Sequence, residues 1–167
     1  MDFKNNYKSF FVKFFATCFG LGYSPIFPGA VGVVFGAVVA YLVHPSPFFI
    51  KILITLALIV FAVPLSTKAE KLFEKKDCKK IIIDEVIGIL IATIWFTPLD
   101  IYHLTGFTDL SVIMFIAILF IYGLFDTIKM YPANISQRLY GGWGIVIDDI
   151  IAGIYTAITI FLILKFF

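Results

Sequence analysis

The chain has 167 residues, 61% of them hydrophobic and only 14% charged, with a mean hydropathy of +1.02. Such a composition lies outside the range of soluble domains and places the chain in a bilayer. A net charge of +2 is too small for a nucleic-acid partner, and the two cysteines, Cys18 and Cys78, lack the spacing of a redox pair, a disulfide framework or a thiolate metal site.

Lys4, Lys8 and Lys13 open the chain, and Phe10, Phe11, Phe14 and Phe15 recur at helical spacing. Lys13 interrupts the apolar run, so the segment reads as an amphipathic helix on the membrane surface and not as a secretory signal. Gly20-Leu21-Gly22-Tyr23-Ser24-Pro25-Ile26-Phe27-Pro28-Gly29 then leads into a first apolar run, Pro28 to Val43. Glycines let backbone approach a ligand, proline suits a first helical turn, and the free N–H groups of that turn favour an anion. Phosphate contact and plain loop geometry explain this stretch equally well. Gly32 and Gly36, four apart, are expected to pack helices closely.

A second apolar run, Phe48 to Leu65, precedes the polar stretch Ser66 to Lys80. There Lys68, Lys71 and Lys75, with Glu70 and Glu74, suit a solvated helix with near-neighbour charge pairs that also attracts anionic lipid. The third run, Val86 to Thr97, reaches spanning length only by borrowing Ile81 to Glu85, which sets Asp84 and Glu85 at headgroup depth. Pro98 is expected to end it, and His103, Asp100 and Asp109 fall in the outer connection. A fourth run, Leu110 to Phe125, leads into Asp126-Thr127-Ile128-Lys129. The last, Ile145 to Leu164, follows Gly141-Gly142-Trp143-Gly144 and carries Asp148 and Asp149 one turn in.

Lysines and the single arginine crowd the N-terminus, the connection between the second and third runs, and that between the fourth and fifth; the alternate connections have none. By the positive-inside rule the N-terminus is cytoplasmic, with about five spans. The expected fold is thus all-α, a polytopic helical membrane protein with an N-terminal amphipathic helix. The chain has no internal repeat or long linker, so 1–167 reads as one domain.

Carboxylates beside hydrocarbon are costly and read as functional. Asp84, Glu85, Asp126, Asp148 and Asp149 all fall at cytoplasmic ends of the expected spans. Oxygen ligands without His or Cys suit a hard cation such as Mg²⁺. If the helix continues past Asp126, that acid and Lys129 share a face as an ion pair; the alternative gives Asp126 to metal and Lys129 to a phosphate.

The four segments, Gly22-Tyr23-Ser24-Pro25 with Pro28-Gly29, Asp84-Glu85-Val86-Ile87-Gly88, Phe125-Asp126-Thr127-Ile128-Lys129 and Gly141-Gly142-Trp143-Gly144 through Asp148-Asp149 to Ala152-Gly153, together resemble the phosphatidylglycerophosphatase A family. The chain departs from that pattern at Ala30, Val33 and Met130, with the acids intact. The resemblance implies a Mg²⁺-dependent phosphomonoesterase that converts phosphatidylglycerophosphate to phosphatidylglycerol and phosphate at the cytoplasmic face of the bacterial inner membrane. Glu85, Asp126, Asp148 and Asp149 would hold metal, and Asp84 would be a ligand or general base. Lys129, Gly22, Ser24, Gly29, Gly141 and Gly142 would meet phosphate. The rival reading is a small cation- or proton-coupled transporter, which requires acids spread through the membrane depth.

Overall fold

The structure is a computed structural model that describes residues 3–95 and 108–166. Its described residues form seven α-helices and no strand: α1 (Phe3–Ala16), α2 (Pro28–Val43), α3 (Phe48–Phe73), α4 (Ile83–Ala92), α5 (Thr108–Ile128), α6 (Ala133–Ser136) and α7 (Gly142–Phe166), with a 3-10 turn at Leu21–Tyr23. The expected end of the third span at Pro98, and His103 and Asp100, lie outside the described residues.

Among the described residues two helices, α3 and α7, are long and apolar enough to cross a membrane. Two sequence expectations are corrected in detail. The polar stretch after the second apolar run is no separate helix, because α3 runs on unbroken through Ser66 to Phe73, with Ser66 and Ala69 buried. The third run does not form a helix of spanning length: α4 has 10 residues, about 15 Å at 1.5 Å per residue, half of a ~30 Å hydrocarbon core. It ends where Thr93 turns its hydroxyl back onto the Ile89 carbonyl at 2.7 Å.

This short helix is apolar nearly all round, the pattern of a helix enclosed by others, and it lies between α2 and α7. Glycines set both contacts. A Cβ at Gly32 would lie 3.0 Å from that of Ile82, and one at Gly36 3.1 Å from that of Ile89, so α2 approaches α4 as the spacing predicts. On the other side a Cβ at Gly153 of α7 would lie 2.5 Å from the Gly88 carbonyl oxygen. Tyr122 and Ile118 of α5, with Ile82 just before α4, Ile87 and Ile89 of α4 and Val146 and Ile160 of α7, are fully buried in the core these helices share.

The lysine-bearing connections meet at one end of the bundle. There Ile82 donates its N–H to the Ala16 carbonyl at 3.0 Å, and Gly142 donates its N–H to the Thr67 hydroxyl at 2.8 Å. At the other end the Phe48 and Trp95 rings sit 4.7 Å apart.

Candidate active site

The five acids assigned to the site from the sequence lie on helix ends of that lysine-bearing side. Asp84 and Glu85 occupy the first turn of α4, where the helix dipole favours negative charge. Asp126 is in the last turn of α5 and Asp148 and Asp149 are in the second turn of α7. Asp84, Asp148 and Asp149 are buried. The five are close enough to act on one another: the charges of Asp84, Asp126 and Asp148 bear on Asp149, and those of Asp84 and Asp149 on Glu85.

Two of these carboxylates are held by neighbours. The Tyr122 hydroxyl donates to Asp149 Oδ1, its ring admitted because residue 88 of α4 is glycine; a Cβ there would collide with the ring. Asp148 Oδ2 accepts from Lys129 Nζ at 2.6 Å and from Gln137 Nε2 at 3.0 Å. Gln137 also reaches Asp77 Oδ2 at 3.5 Å, and Lys129 Nζ lies 4.0 Å from the same oxygen.

Three other carboxylate oxygens have no such partner. Asp84 Oδ1, Glu85 Oε2 and Asp148 Oδ1 are buried without a hydrogen bond from the protein. Burying a charged oxygen in this way is costly, which marks the cluster as built to meet something else.

Lys129 differs from the simple expectation. α5 stops at Ile128, and Lys129 takes a left-handed conformation, φ 48°, as its N–H closes onto the Phe125 carbonyl at 2.9 Å. Its ammonium therefore crosses to α7 and pairs with Asp148. Partial burial pulls its pKa down, but the hydrogen bond and charge of Asp148, helped by Asp77 and Asp126, outweigh burial and hold it above the ordinary lysine value.

The glycine-rich segments divide. Gly29 abuts the acids, since a Cβ there would lie 3.1 Å from Glu85 Oε1. Gly22 gives its N–H to the Thr17 carbonyl at 2.9 Å and presses on the Lys80 carbonyl, so it holds the turn against the α3–α4 connection. Ser24 turns its hydroxyl to the Ile26 carbonyl at 3.0 Å. Gly141, φ 59°, and Gly142 pack on Thr67, which takes the Gly142 N–H. The N–H groups of Gly22 and Gly142 are thus committed to the protein.

Tyr122, Gln137 and Asp77 were missed from the sequence. Tyr122 had a signal, standing four residues before Asp126 on one helical face. Gln137 and Asp77 had none, because they come from connections whose meeting only the fold reveals.

Among the described residues no three His, Cys, Asp or Glu side chains close on one point as a finished metal cage. Mg²⁺ does not require one: it keeps several waters and binds through one or two carboxylates together with substrate phosphate. The all-oxygen donor set and the three unpartnered buried carboxylate oxygens fit such a hydrated ion.

The profile of the phosphatidylglycerophosphatase A family matches residues 14–164. A phosphatidylglycerophosphatase A of Escherichia coli is 30% identical over 145 residues, covering 85% of this chain and 77% of its own. A Bacteroides thetaiotaomicron protein, provisionally named a phosphatidylinositol-3-phosphatase, is 26% identical over 156 residues, 91% of this chain and 92% of its own. No solved structure matches. The transporter reading is not favoured, since the acids gather at one end of the bundle and the relatives are phosphatases by name.

Proposed function

We propose, from the premise that this chain belongs to the phosphatidylglycerophosphatase A family and is a phosphoric monoester hydrolase, that it hydrolyses phosphatidylglycerophosphate to phosphatidylglycerol and phosphate, with Mg²⁺, at the cytoplasmic face of a bacterial inner membrane. The observation that carries this reading is the set of buried, unpartnered oxygens on Asp84, Glu85 and Asp148, with the Lys129 ammonium bonded to the other oxygen of Asp148. Anionic acceptors and a cation side by side suit a phosphomonoester bound through metal on one side and lysine on the other.

Of Glu85, Asp126, Asp148 and Asp149, one or two would hold the ion directly and the others would meet its waters. When bound, Mg²⁺ supplies neutralisation of oxyanion charge and acidifies water. Tyr122 fixes the Asp149 carboxylate by donating to Oδ1, and Gln137 holds Asp148 Oδ2, which leaves Asp148 Oδ1 free. Lys129 exchanges part of its pairing with Asp148 for the substrate phosphate, bringing positive charge to the group being transferred. Asp84, whose Oδ1 has no partner, is the candidate to take a proton from the attacking water.

The membrane placement has support of its own. Lysines of the α3–α4 connection and Lys129 with Arg138 lie at the end where the acids gather, and that end is cytoplasmic by the positive-inside rule. A topology of about five crossings would require α4, only about half a hydrocarbon core in length, to count as a crossing beside α2, α3, α5 and α7.

The test is phosphate release from detergent-dispersed phosphatidylglycerophosphate, with and without Mg²⁺, by wild type and Asp149→Asn. Release that needs Mg²⁺ and drops in the variant is expected. Equal release by both proteins, or release indifferent to chelation, would remove the proposed site.

A further inference from the structure

Beside the acid cluster, between the C-terminal end of α3 and the N-terminal end of α7, lies a cleft of about 270 Å³ walled by Glu70, Lys76, Asp77, Gln137, Gly141 and Gly144. It sits just below the ~300–1,000 Å³ of ordinary small-molecule sites, a size for a small headgroup. Asp77 and Gln137 belong both to its wall and to the network around Lys129 and Asp148. A molecule whose phosphate meets Lys129 would therefore extend its next atoms into this cleft.

The wall is not made for a second anion. Two of its side chains, Glu70 and Asp77, are carboxylates against the one lysine, Lys76. Glu70 Oε1 accepts the Asp77 N–H at 2.8 Å, which pins the left-handed turn at Asp77, φ 49°, and aims its carboxylate at Gln137 and Lys129. Carboxylates accept from hydroxyls, and the Lys76 ammonium donates to them. On the α7 side Gly141 and Gly144 leave Ile145 as the one side chain in the wall.

We infer that this cleft receives the hydroxylated headgroup of the lipid, the alcohol from which phosphate is cleaved, with Asp77 and Glu70 accepting its hydroxyls and Lys76 donating. The inference rests on the phosphatase reading and adds the source of headgroup choice. It makes hydroxyls, and not the anionic diester, the feature that distinguishes a good product or substrate.

The experiment compares two lipids of equal charge, phosphatidylglycerol and phosphatidylpropanol, which differ only in headgroup hydroxyls. Each is measured as an inhibitor of phosphate release and by direct equilibrium binding in nanodiscs, for wild type, Glu70→Ala and Asp77→Ala. Wild type is expected to prefer phosphatidylglycerol by roughly tenfold, the worth of a hydrogen bond to a charged group, and each variant to lose most of that preference. The ratio is read within one preparation, so a misfolded fraction does not alter it. Equal binding of both lipids by wild type, or an undiminished preference in both variants, would overturn the inference. Free glycerol at the same concentration is expected to be inert; inhibition by it equal to that of the lipid would refute the lipid assignment. If wild type released no phosphate at all, the phosphatase reading would fail while the binding comparison still judged the cleft.

Discussion

Lys129 Nζ and Asp148 Oδ2, brought together from the ends of two different helices, lie 2.6 Å apart, with the lysine side chain 28% and the aspartate 4% exposed. The aspartate is thus the buried partner, and removing the lysine strands its charge. Lys129→Ala is expected to cost about 1–4 kcal/mol, between an exposed pair and a fully buried one, read from thermal unfolding in detergent. Because the folded pKa of Lys129 is raised, this stabilisation is fully present below the ordinary lysine value of ~10.4 and fades only as pH climbs through the folded value. The wild-type and Lys129→Ala unfolding midpoints should therefore differ by a constant amount from about pH 7 to 9. A gap that closed within that window would contradict the assignment.

Tyr122→Phe removes one oxygen and leaves the buried Asp149 Oδ1 without its donor. The cost of such a loss is about 1–3 kcal/mol. If the tyrosine positions Asp149, the variant folds, keeps its KM for phosphatidylglycerophosphate and loses roughly tenfold or more in kcat. A rise in KM with kcat unchanged would assign the tyrosine to substrate binding.

Much of this arrangement was legible because charge near hydrocarbon is rare enough to stand out. Asp84, Glu85, Asp126, Asp148 and Asp149 were visible one by one, and lysine placement alone put them at one end. The apolar runs located α2, α3, α5 and α7, since long apolar segments have few other uses. Hydropathy could not show that α3 continues through Ser66 to Phe73, because Ser66 and Ala69 are buried by packing against neighbours and not by composition. Nor could it show that α4 stops at Ala92, a turn set by Thr93 and Ile94 folding back on the helix. Gln137 and Asp77 carry no local pattern, and the partners that give them meaning are 11 and 60 residues away from Gln137 in sequence.

The glycines of the central helices offer a contrast within one protein. At Gly88 a Cβ would run into the Tyr122 ring, whereas at Gly123 nothing lies within 4 Å. Gly88→Ala is expected to destabilise by about 1–3 kcal/mol through overpacking, and to lower activity by displacing Tyr122 from Asp149. Gly123→Ala should be neutral or stabilising by up to ~1 kcal/mol, the gain in helix propensity. Unfolding midpoints of the two variants decide this, and equal effects would mean that the α4–α5 contact is not what Gly88 serves.

Cys18 gives a prediction about a side chain that has no part in the proposed chemistry. Its thiol is buried in the turn after α1, and burial first, then the charge of Asp84, push its pKa up to about 12. The thiolate is the reactive form, so in the folded protein iodoacetamide at about pH 8 should leave Cys18 unmodified, while denaturation should expose it to rapid alkylation. The sign of the linkage follows from the same shift. The unfolded thiol loses its proton near pH ~8.5 and the folded one only near the higher value, so stability falls as pH rises between them. In a Cys78→Ala background, which leaves Cys18 as the one thiol, Cys18→Ala should flatten this alkaline decline. Unfolding midpoints at about pH 7 and 10 measure it, and an identical decline with and without the Cys18 thiol would show that its environment is not as apolar as the fold makes it.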